Sequence, residues 1–302
     1  MDLIASGEVV RKALQSARAG GASVGLVPTM GALHAGHISL IGAARRECDC
    51  VAVSIFVNPT QFGDVADLKA YPRNLDTDLD MCRAAGVDVV FAPSVAEMYP
   101  QGSLDTAVVP GQLSEVLEGP SRPGHFTGVA TIVTKLLSIA GGCRAYFGEK
   151  DFQQLAIVRR LVSDLDIAVE VIGCPTVREA DGLAMSSRNG RLAPPERQAA
   201  TALHRALSAG VDLVVAGERS ARHVGAAMAA VLDSEALVRT DYVAVADPVD
   251  LRPVSDITSE VRLLVAAEVG AVRLIDNLAA VPPWPILARA AAEVAETAGS
   301  GW

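Results

Sequence analysis

The sequence predicts an α/β fold, a Rossmann-like doubly wound parallel sheet followed by a smaller C-terminal α+β domain. Short apolar, β-branched runs alternate with helical patterns through the first 175 residues, and most of these runs end in a polar or glycine-containing loop. After Cys174 and Pro175 the pattern changes and becomes rich in alanine. Continuous apolar strands separated by helices are typical of βαβ units in a sheet that is covered on both faces.

The first part of the chain, residues 1–175, is expected to form the Rossmann-like domain. Its strand candidates are residues 24–28, 51–57, 87–92, 144–147 and 168–172. Its helix candidates are residues 37–46, 75–85, 127–140 and 152–164. Because strands and helices alternate in this order, neighbouring strands are expected to run parallel.

The second part, residues 176–302, is expected to form the smaller domain and to act as a lid. The polar segment READGLAMSSRNGRL leads into an alanine-rich helix whose start is marked by Pro194 and Pro195. Strand candidates follow at residues 242–246, 261–267 and 272–275, with Gly270 as a turn between the last two. From about residue 282 the tail is expected to be a surface helix with a frayed end.

The composition excludes several classes of protein. Half of the 302 residues are hydrophobic, which is ample for a core, and the net charge of −9 argues against general nucleic-acid binding. The five cysteines contain no CxxC pair, so we expect reduced thiols rather than disulfides or a four-cysteine zinc site. No signal-peptide pattern and no membrane-spanning apolar stretch occurs. We therefore expect a soluble, cytoplasmic protein with neither nucleic-acid nor membrane partners.

A histidine pair follows the first strong strand candidate, in VGLVPTMGALHAGH. His34 and His37 are three residues apart and share one face of a starting helix, where free N–H groups and the helix dipole favour phosphate. Gly31 and Gly36 allow the tight turn before that helix. The pair also has two plainer interpretations, an incidental structural pair or two ligands of a zinc ion completed by Cys48 or Cys50. The placement directly after a strand favours nucleotide binding.

Two further segments carry positive charge after strand candidates. In FGEKDFQQ, Lys150 precedes a helix and is suited to a phosphate, although Glu149, Lys150 and Asp151 also fit a solvated charge cluster with Asp151 as the helix cap. In MSSRNG, two hydroxyls and the guanidinium of Arg188 are suited to wrap phosphates, although the segment also reads as a polar turn. No Walker A sequence and no GxGxxG occurs, which disfavours P-loop kinases and dinucleotide enzymes.

Amide side chains follow the second strand candidate in FVNPTQFG. Asn58 and Gln61 offer donors and acceptors for a carboxylate or hydroxyls, although Asn-Pro is also an ordinary turn opener. The segment EGPSRPGHFTG contains Arg122 and His125 and is either a lid or only a connection.

Five segments, taken in their order along the chain, closely resemble the pantothenate synthetases, or pantoate–β-alanine ligases. They are PTMGALHAGH, FVNPTQF, EGPSRPGHFTGV, FGEKDFQQL and READGLAMSSRN, and the resemblance extends to RLIDN at residues 273–277. The family is one of the nucleotidylyltransferases with a HIGH-like motif and a KMSKS-like loop. The resemblance implies a ligase that converts (R)-pantoate and ATP to pantoyl adenylate and pyrophosphate, after which β-alanine displaces AMP to give pantothenate. It also implies a Mg²⁺ requirement and a homodimer.

The resemblance implies roles for single residues as well. His37 is expected to be the catalytic histidine with His34 beside it, and Lys150 and Arg188 are expected to add charge stabilisation. Gln61 and Gln154 are expected to hold pantoate, with Gln61 also near β-alanine and Asn58 supporting the pocket. The expected ATP contacts are Met30, Gly31, His34, His37, Gly148, Glu149, Lys150, Asp151, Val177, Met185, Ser186, Ser187 and Arg188. Asp76 and Asp78 are candidate metal ligands, but no motif assigns either.

Three other functions stay open on the sequence alone. A different adenylyltransferase of the same superfamily would keep the histidine motif without pairing Gln61 with Gln154. An aminoacyl-tRNA synthetase would need an RNA-binding surface, which the net charge of −9 disfavours. A nucleotide-binding sensor without catalytic activity would need His37 only for affinity.

Overall fold

The structure is a computed structural model that describes residues 1–63, 65–102 and 105–283. The tail expected from about residue 282 therefore lies, beyond Pro283, outside the described residues. The chain divides into two compact units. The first comprises Met1–Arg178 and Met185–Ser187, and the second comprises Glu179–Ala184 and the chain from Arg188 onward.

The first unit is built on a six-stranded sheet in the order β1-β4-β3-β2-β5-β6. Every pairing in it is parallel. The strands are β1 (Asp2–Ile4), β2 (Val24–Thr29), β3 (Cys50–Ile55), β4 (Val89–Phe91), β5 (Cys143–Gly148) and β6 (Val169–Cys174). This confirms the predicted Rossmann-like doubly wound sheet.

Helices connect these strands. They are α1 (Gly7–Ala19), α2 (Ala35–Glu47), α3 (Val65–Ala70), α4 (Leu75–Ala84), α5 (Val95–Met98), α6 (Glu118–Ser121), α7 (His125–Ala140) and α8 (Phe152–Asp164). Short 3₁₀ turns lie at Pro59–Gln61, Gly111–Ser114 and Glu149–Asp151. The four predicted helices correspond to α2, α4, α7 and α8.

Apolar side chains cover both faces of the sheet, which is why its central strands read as continuous apolar runs. In β3, Ala52 points into one core cluster, together with side chains of α1, α7 and α8. Its neighbours Val51 and Val53 point into a second cluster with side chains of α2 and α4. Successive strand residues face opposite sides, so the helices of this unit must pack on both.

The strand order reverses at β2, which places a binding crevice there. β2 pairs with β3 on one side and with β5 on the other, and the connections lead outward in opposite directions from this point. In open α/β sheets, ligands bind outside the carboxyl ends of the strands at such a switch point. His34 ends the loop that follows β2, His37 lies in the first turn of α2, and Lys150 lies in the 3₁₀ turn that follows β5.

The second unit combines helices with a three-stranded antiparallel sheet in the order β7-β8-β9. The elements are α9 (Pro194–Ala199), α10 (Ala202–Val215), α11 (Ala221–Asp233), β7 (Val238–Ala246), β8 (Val261–Val269) and β9 (Val272–Ala280). Pro194 opens α9 as predicted, and Gly270 takes a positive φ of 59° in the turn before β9. This confirms the smaller α+β part. Among the described residues, no helix is long and apolar enough to cross a membrane.

Two helical glycines allow a test of close packing in the two units. A Cβ on Gly128 in α7 would lie 2.4 Å from the carbonyl oxygen of Thr60 and 2.8 Å from the Cα of Gln61. A Cβ on Gly225 in α11 would meet nothing within 4 Å. We expect Gly128→Ala to destabilise the protein by about 1–3 kcal/mol, because α7 must move off the turn. Gly225→Ala is expected to stabilise it by about 0.5–1 kcal/mol.

Denaturant unfolding of both variants measures these changes. Equal effects of the two substitutions would contradict the close packing of α7 against the turn at Pro59–Gln61.

Candidate active site

The turn after β2 is held in an unusual backbone conformation. Gly31 and Ala32 have φ values of 80° and 51°. Thr29 joins the end of β2 to β3, because its hydroxyl donates to the carbonyl oxygen of Ser54 at 2.7 Å and accepts from the N–H of Gly31 at 3.1 Å. The left-handed residues turn the following backbone N–H groups towards one side chain, that of Asp78.

Asp78, in the first turns of α4, binds that backbone. Its Oδ2 accepts from the N–H of Ala32 at 3.0 Å and its Oδ1 accepts from the N–H of Leu33 at 2.8 Å. The side chain is buried, with 3% exposed. A Cβ on Gly31 would lie 2.8 Å from Asp78 Oδ2, so the contact also requires glycine there. Asp78, one of the two candidate metal ligands of the sequence, thus anchors the turn, whereas Asp76, the other, is exposed.

His34 and His37 cap the start of α2 with their own imidazoles. Nδ1 of His34 accepts from the N–H of Gly36 at 3.1 Å, and Nδ1 of His37 accepts from the N–H of His34 at 3.3 Å. A backbone N–H only donates, so both Nδ1 atoms are unprotonated and each neutral ring carries its proton on Nε2. The ring centroids are 4.2 Å apart. The pair therefore presents two Nε2–H donors at a helix N-terminus.

The surroundings keep these imidazoles neutral. Burial lowers the pKa of His37 to about 3, and the neighbouring His34 adds to the shift. Burial lowers the pKa of His34 as well, with a further contribution from the charge of Lys150. Neutral rings that donate through Nε2 are suited to hydrogen-bond a phosphate without becoming charged.

Lys150 lies near the histidine pair at the end of β5. It falls in the 3₁₀ turn Glu149–Asp151 that follows Gly148 and precedes α8. Its side chain is 17% exposed, and its Nζ lies 3.4 Å from Oδ1 of Asp151. Asp151 occupies the N-cap position of α8, but its side chain accepts no capping hydrogen bond there. The Lys150 side chain is therefore largely buried beside the switch point, whereas the Asp151 carboxylate that it contacts is 51% exposed.

The zinc interpretation of the histidine pair does not fit the arrangement. Cys48 is the C-cap of α2, at the opposite end of the helix from His34. A helix of 13 residues is about 20 Å long. Among residues 1–63, 65–102 and 105–283, no three His, Cys, Asp or Glu side chains cluster as a metal site. All five cysteines are free thiols.

The turn after β3 places the two amides together. Asn58 and Gln61 are buried, with 1% and 8% exposed, and Asn58 Nδ2 donates to Gln61 Oε1 at 3.1 Å. Gln61 Nε2 lies 2.9 Å from the sulfur of Met30, which belongs to the loop after β2. The structure thus joins the expected substrate-binding amides to the expected nucleotide loop.

The segment that contains Arg122 and His125 packs against this turn. His125 Nδ1–H donates to the carbonyl oxygen of Gln61 at 2.7 Å, and its Nε2 accepts from Arg122 at 3.0 Å. Burial, with the Arg122 charge as a second cause, lowers the pKa of His125 to about 4. Both His125 and Glu118 are buried, so the two ends of this segment are packed against the rest of the first unit.

Two glutamines at the start of α8 differ in their surroundings. Gln153 is buried, accepts from the N–H of Glu118 at 3.0 Å and donates to the carbonyl oxygens of Leu113 and Val116, each at 2.8 Å. It is therefore structural. Gln154, the residue expected to bind substrate, is half-buried on the next position of α8.

The expected nucleotide loop at residues 185–188 is divided between the two units. Met185 N–H donates to the carbonyl oxygen of Val177 at 2.9 Å, and Met185 Cβ lies 4.0 Å from the place where a Cβ on Gly36 would stand. Ser186 and Ser187 are half-buried. Arg188 belongs to the second unit, so its role stays a prediction.

Polar contacts within the second unit hold the chain on either side of this loop. Glu179 accepts from Asn189 Nδ2 at 2.9 Å and from Arg197 at 2.7 Å. Arg197 also pairs with Asp181 at 2.8 Å.

Comparisons with known proteins support one family. A family model described as pantoate-beta-alanine ligase matches residues 2–279. The chain is 52% identical over 278 residues to the pantothenate synthetase of Moorella thermoacetica, covering 92% of this chain and 98% of that protein. It is 55% identical over 255 residues to the pantothenate synthetase of Roseiflexus castenholzii, covering 84% of this chain and 91% of that protein.

Solved structures of the same family are similar to this structure. The crystal structure of pantothenate synthetase from Thermus thermophilus superposes with a TM-score of 0.87 at 47% identity, covering 92% of this chain and 99% of that chain. The pantoate-beta-alanine ligase of Francisella tularensis, in complex with beta-gamma ATP and beta-alanine, gives a TM-score of 0.74 at 34% identity. That match covers 92% of this chain and 97% of that chain.

Substitution of Asp78 tests how the turn between β2 and α2 is anchored. Asp78→Asn replaces one acceptor oxygen by an NH₂ group that faces a backbone N–H. Because hydrogen bonds to a charged acceptor contribute about 1.5–3 kcal/mol, we expect a lower melting temperature and about tenfold weaker ATP binding by calorimetry. Asp76→Asn, an exposed change on the same helix, is the matched control and is expected to leave both quantities unchanged. Identical behaviour of the two variants would contradict the anchoring role.

Proposed function

The chain belongs to the pantoate–β-alanine ligase family, and from that premise we propose that it condenses (R)-pantoate with β-alanine in an ATP-dependent reaction through a pantoyl adenylate. The single observation that carries the proposal is the pair of neutral Nε2–H imidazoles at the start of α2. Two uncharged donors at a helix N-terminus, beside the Lys150 ammonium, fit a site that binds phosphates and stabilises charge that develops on them.

The proposed reaction has two steps. In the first, a carboxylate oxygen of pantoate attacks the α-phosphorus of ATP, the bond to the β-phosphate breaks and pyrophosphate leaves. In the second, the uncharged amine of β-alanine attacks the acyl carbon of the adenylate. The bond between that carbon and the phosphate-linked oxygen breaks, AMP leaves with the oxygen, and the nitrogen loses a proton to water. The first step needs positioning and charge stabilisation and no nucleophile from the protein.

We assign the nucleotide to the loops after β2 and β5. His37 and His34 donate to phosphate oxygens through Nε2–H, and Lys150 and Arg188 supply positive charge. Backbone and side-chain contacts to ATP are assigned to the other expected residues. These are Met30, Gly31, Gly148, Glu149, Asp151, Val177, Met185, Ser186 and Ser187.

We assign pantoate to the amides of Gln61 and Gln154. Gln61 is buried beside Met30, so a molecule bound to its amide lies next to the nucleotide loop, as attack on the α-phosphorus requires. β-Alanine is assigned to the same neighbourhood, near Gln61, and Asn58 supports the pocket from behind.

We also infer a Mg²⁺ ion, held mainly by the phosphates of ATP, which neutralises their charge when bound. Mg²⁺ in such sites takes one or two carboxylates at most, and Asp78 is already engaged by the backbone of the turn. A homodimer, a cytoplasmic location and a lid role for the second unit remain proposals that rest on the family.

An isotope experiment tests the proposed reaction. Pantoate labelled with ¹⁸O in its carboxylate is incubated with ATP and Mg²⁺, with and without β-alanine. We expect pyrophosphate release to depend on pantoate, and AMP formed in the presence of β-alanine to carry one ¹⁸O atom by mass spectrometry. Pyrophosphate release that ignores pantoate, or unlabelled AMP, would refute the adenylate.

The histidine assignment is tested in the same assay. His37→Ala is expected to lower kcat by roughly 10²–10³-fold, the usual cost of losing one preorganised donor. His223→Ala removes an exposed histidine of α11 and is expected to keep full activity. Full activity of His37→Ala, alongside pantoate-dependent turnover, would leave the reaction standing and remove His37 from it.

A further inference from the structure

Asn58, at the carboxyl end of β3, is a fully buried amide with a complete set of hydrogen bonds. Only 1% of the residue is exposed. Its Oδ1 accepts from the N–H and the hydroxyl of Thr60, at 3.4 and 3.0 Å, and from the hydroxyl of Tyr99 at 2.6 Å. Its Nδ2 donates to Gln61 Oε1 at 3.1 Å and to the carbonyl oxygen of Gly128 at 3.2 Å.

Backbone groups determine which way this amide faces. The N–H of Thr60 only donates, so the atom of Asn58 beside it must be the oxygen. The carbonyl oxygen of Gly128 only accepts, so the atom beside it must be the nitrogen. In a flipped Asn58, the NH₂ group would face the N–H of Thr60 and the oxygen would face the carbonyl oxygen of Gly128. Buried polar groups would then be unpaired, which is costly.

The orientation of Asn58 determines that of Gln61. Because Asn58 offers an N–H to Gln61, the atom of Gln61 that faces it must be Oε1. The NH₂ group of Gln61 is therefore turned the other way, towards the sulfur of Met30 in the loop after β2. A thioether is a weak acceptor, so a substrate oxygen is a better partner for these N–H groups.

Tyr99 is the residue that completes this arrangement. Tyr99 lies at the end of α5, 41 residues from Asn58 along the chain, and its hydroxyl makes the shortest contact to Asn58 Oδ1. The ring is held against Phe56, with centroids 6.2 Å apart, and beneath the Lys135 ammonium at 5.7 Å. Burial raises the pKa of Tyr99, so its hydroxyl keeps the proton that it donates.

We propose that Tyr99 is a positioning residue that, through Asn58, holds the Gln61 amide with its N–H groups towards the substrate, so that this position selects a hydrogen-bond acceptor. The inference rests on the proposed function, in which that acceptor is a carboxylate or hydroxyl oxygen of pantoate. Without the Tyr99 hydroxyl, Asn58 Oδ1 keeps only the contacts from Thr60. The backbone partners still set which way the Asn58 amide faces, but that amide is held less tightly. Gln61, which accepts from Asn58 at 3.1 Å, is then held less firmly with its N–H groups towards the substrate.

The test compares two tyrosine variants in the same unit. Tyr99→Phe removes the hydroxyl and keeps the ring. Tyr146→Phe is the matched control, because Tyr146 is also buried and its hydroxyl donates to Glu47 at 2.9 Å, in the other core cluster. We expect Tyr99→Phe to raise the KM for pantoate about five- to tenfold, the loss of roughly one hydrogen bond, with the KM for ATP changed less than twofold. Tyr146→Phe is expected to change only the melting temperature.

A double-mutant cycle tests whether Tyr99 acts through Asn58. In an Asn58→Ala background, Tyr99→Phe is expected to raise the KM for pantoate by less than a further twofold. A further fivefold rise there would show that Tyr99 acts by another route and overturn the proposal. Thr60→Val, which removes the second hydroxyl on Asn58 Oδ1, provides a second variant and is expected to shift the KM for pantoate in the same direction.

The outcomes separate this inference from the proposed function. Pantothenate formation by the wild type and by Tyr146→Phe, with an unchanged KM for pantoate in Tyr99→Phe, would overturn the role of Tyr99 and leave the reaction intact. Equal increases in the KM values for pantoate and ATP would also overturn it, because they would indicate a general structural defect. No pantothenate from the wild type would overturn the proposed function and this inference with it.

Discussion

The site depends on how the backbone N–H groups between β2 and α2 are satisfied. The carboxylate of Asp78 accepts two of them and the Nδ1 atoms of His34 and His37 accept two more. The N–H groups of His34 and Gly36, at the start of α2, would otherwise lack partners within the helix. Because the imidazoles are used as acceptors on one side, each has its proton on the other, and the capping that starts α2 also orients two donors. Burial, which lowers the pKa of His37 to about 3, keeps that arrangement neutral.

The same principle operates on the substrate side. Asn58 is oriented by a backbone N–H and a backbone carbonyl, and Gln61 is oriented by Asn58. His125 also binds the carbonyl oxygen of Gln61, so the turn after β3 is fixed from α7 as well as from β3. An amide or an imidazole can both donate and accept, and a sequence does not show which atom faces which partner. In both places the neighbouring backbone groups permit only one orientation. Preorganised donors of this kind stabilise charge without first having to rearrange.

Much of the fold was predictable because its signals are local. β2 to β6 are apolar runs, and α9 begins at a proline pair. β1 and α1 are absent from the sequence-based prediction. β1 is a three-residue edge strand with two exposed side chains, so it has no continuous apolar run. In α1, Val10 and Leu14 are buried at a helical spacing that could have indicated the helix. The histidine pair and Lys150 were predictable because glycines and strand ends mark them. The anchoring role of Asp78 and the contact of Tyr99 were not, because each residue meets its partner across more than 40 residues of chain and no local pattern marks these contacts.

The protonation of the histidine pair is the central claim, and long-range ¹H–¹⁵N NMR of ¹⁵N-histidine-labelled protein measures it most directly. At neutral pH the two imidazoles are predicted to be neutral Nε2–H tautomers, with His37 keeping that form as the pH falls well below the ordinary histidine value of 6.5. His125 is predicted to show the opposite tautomer, Nδ1–H, in the same spectrum. Doubly protonated rings, or Nδ1–H tautomers at His34 and His37, would contradict the account.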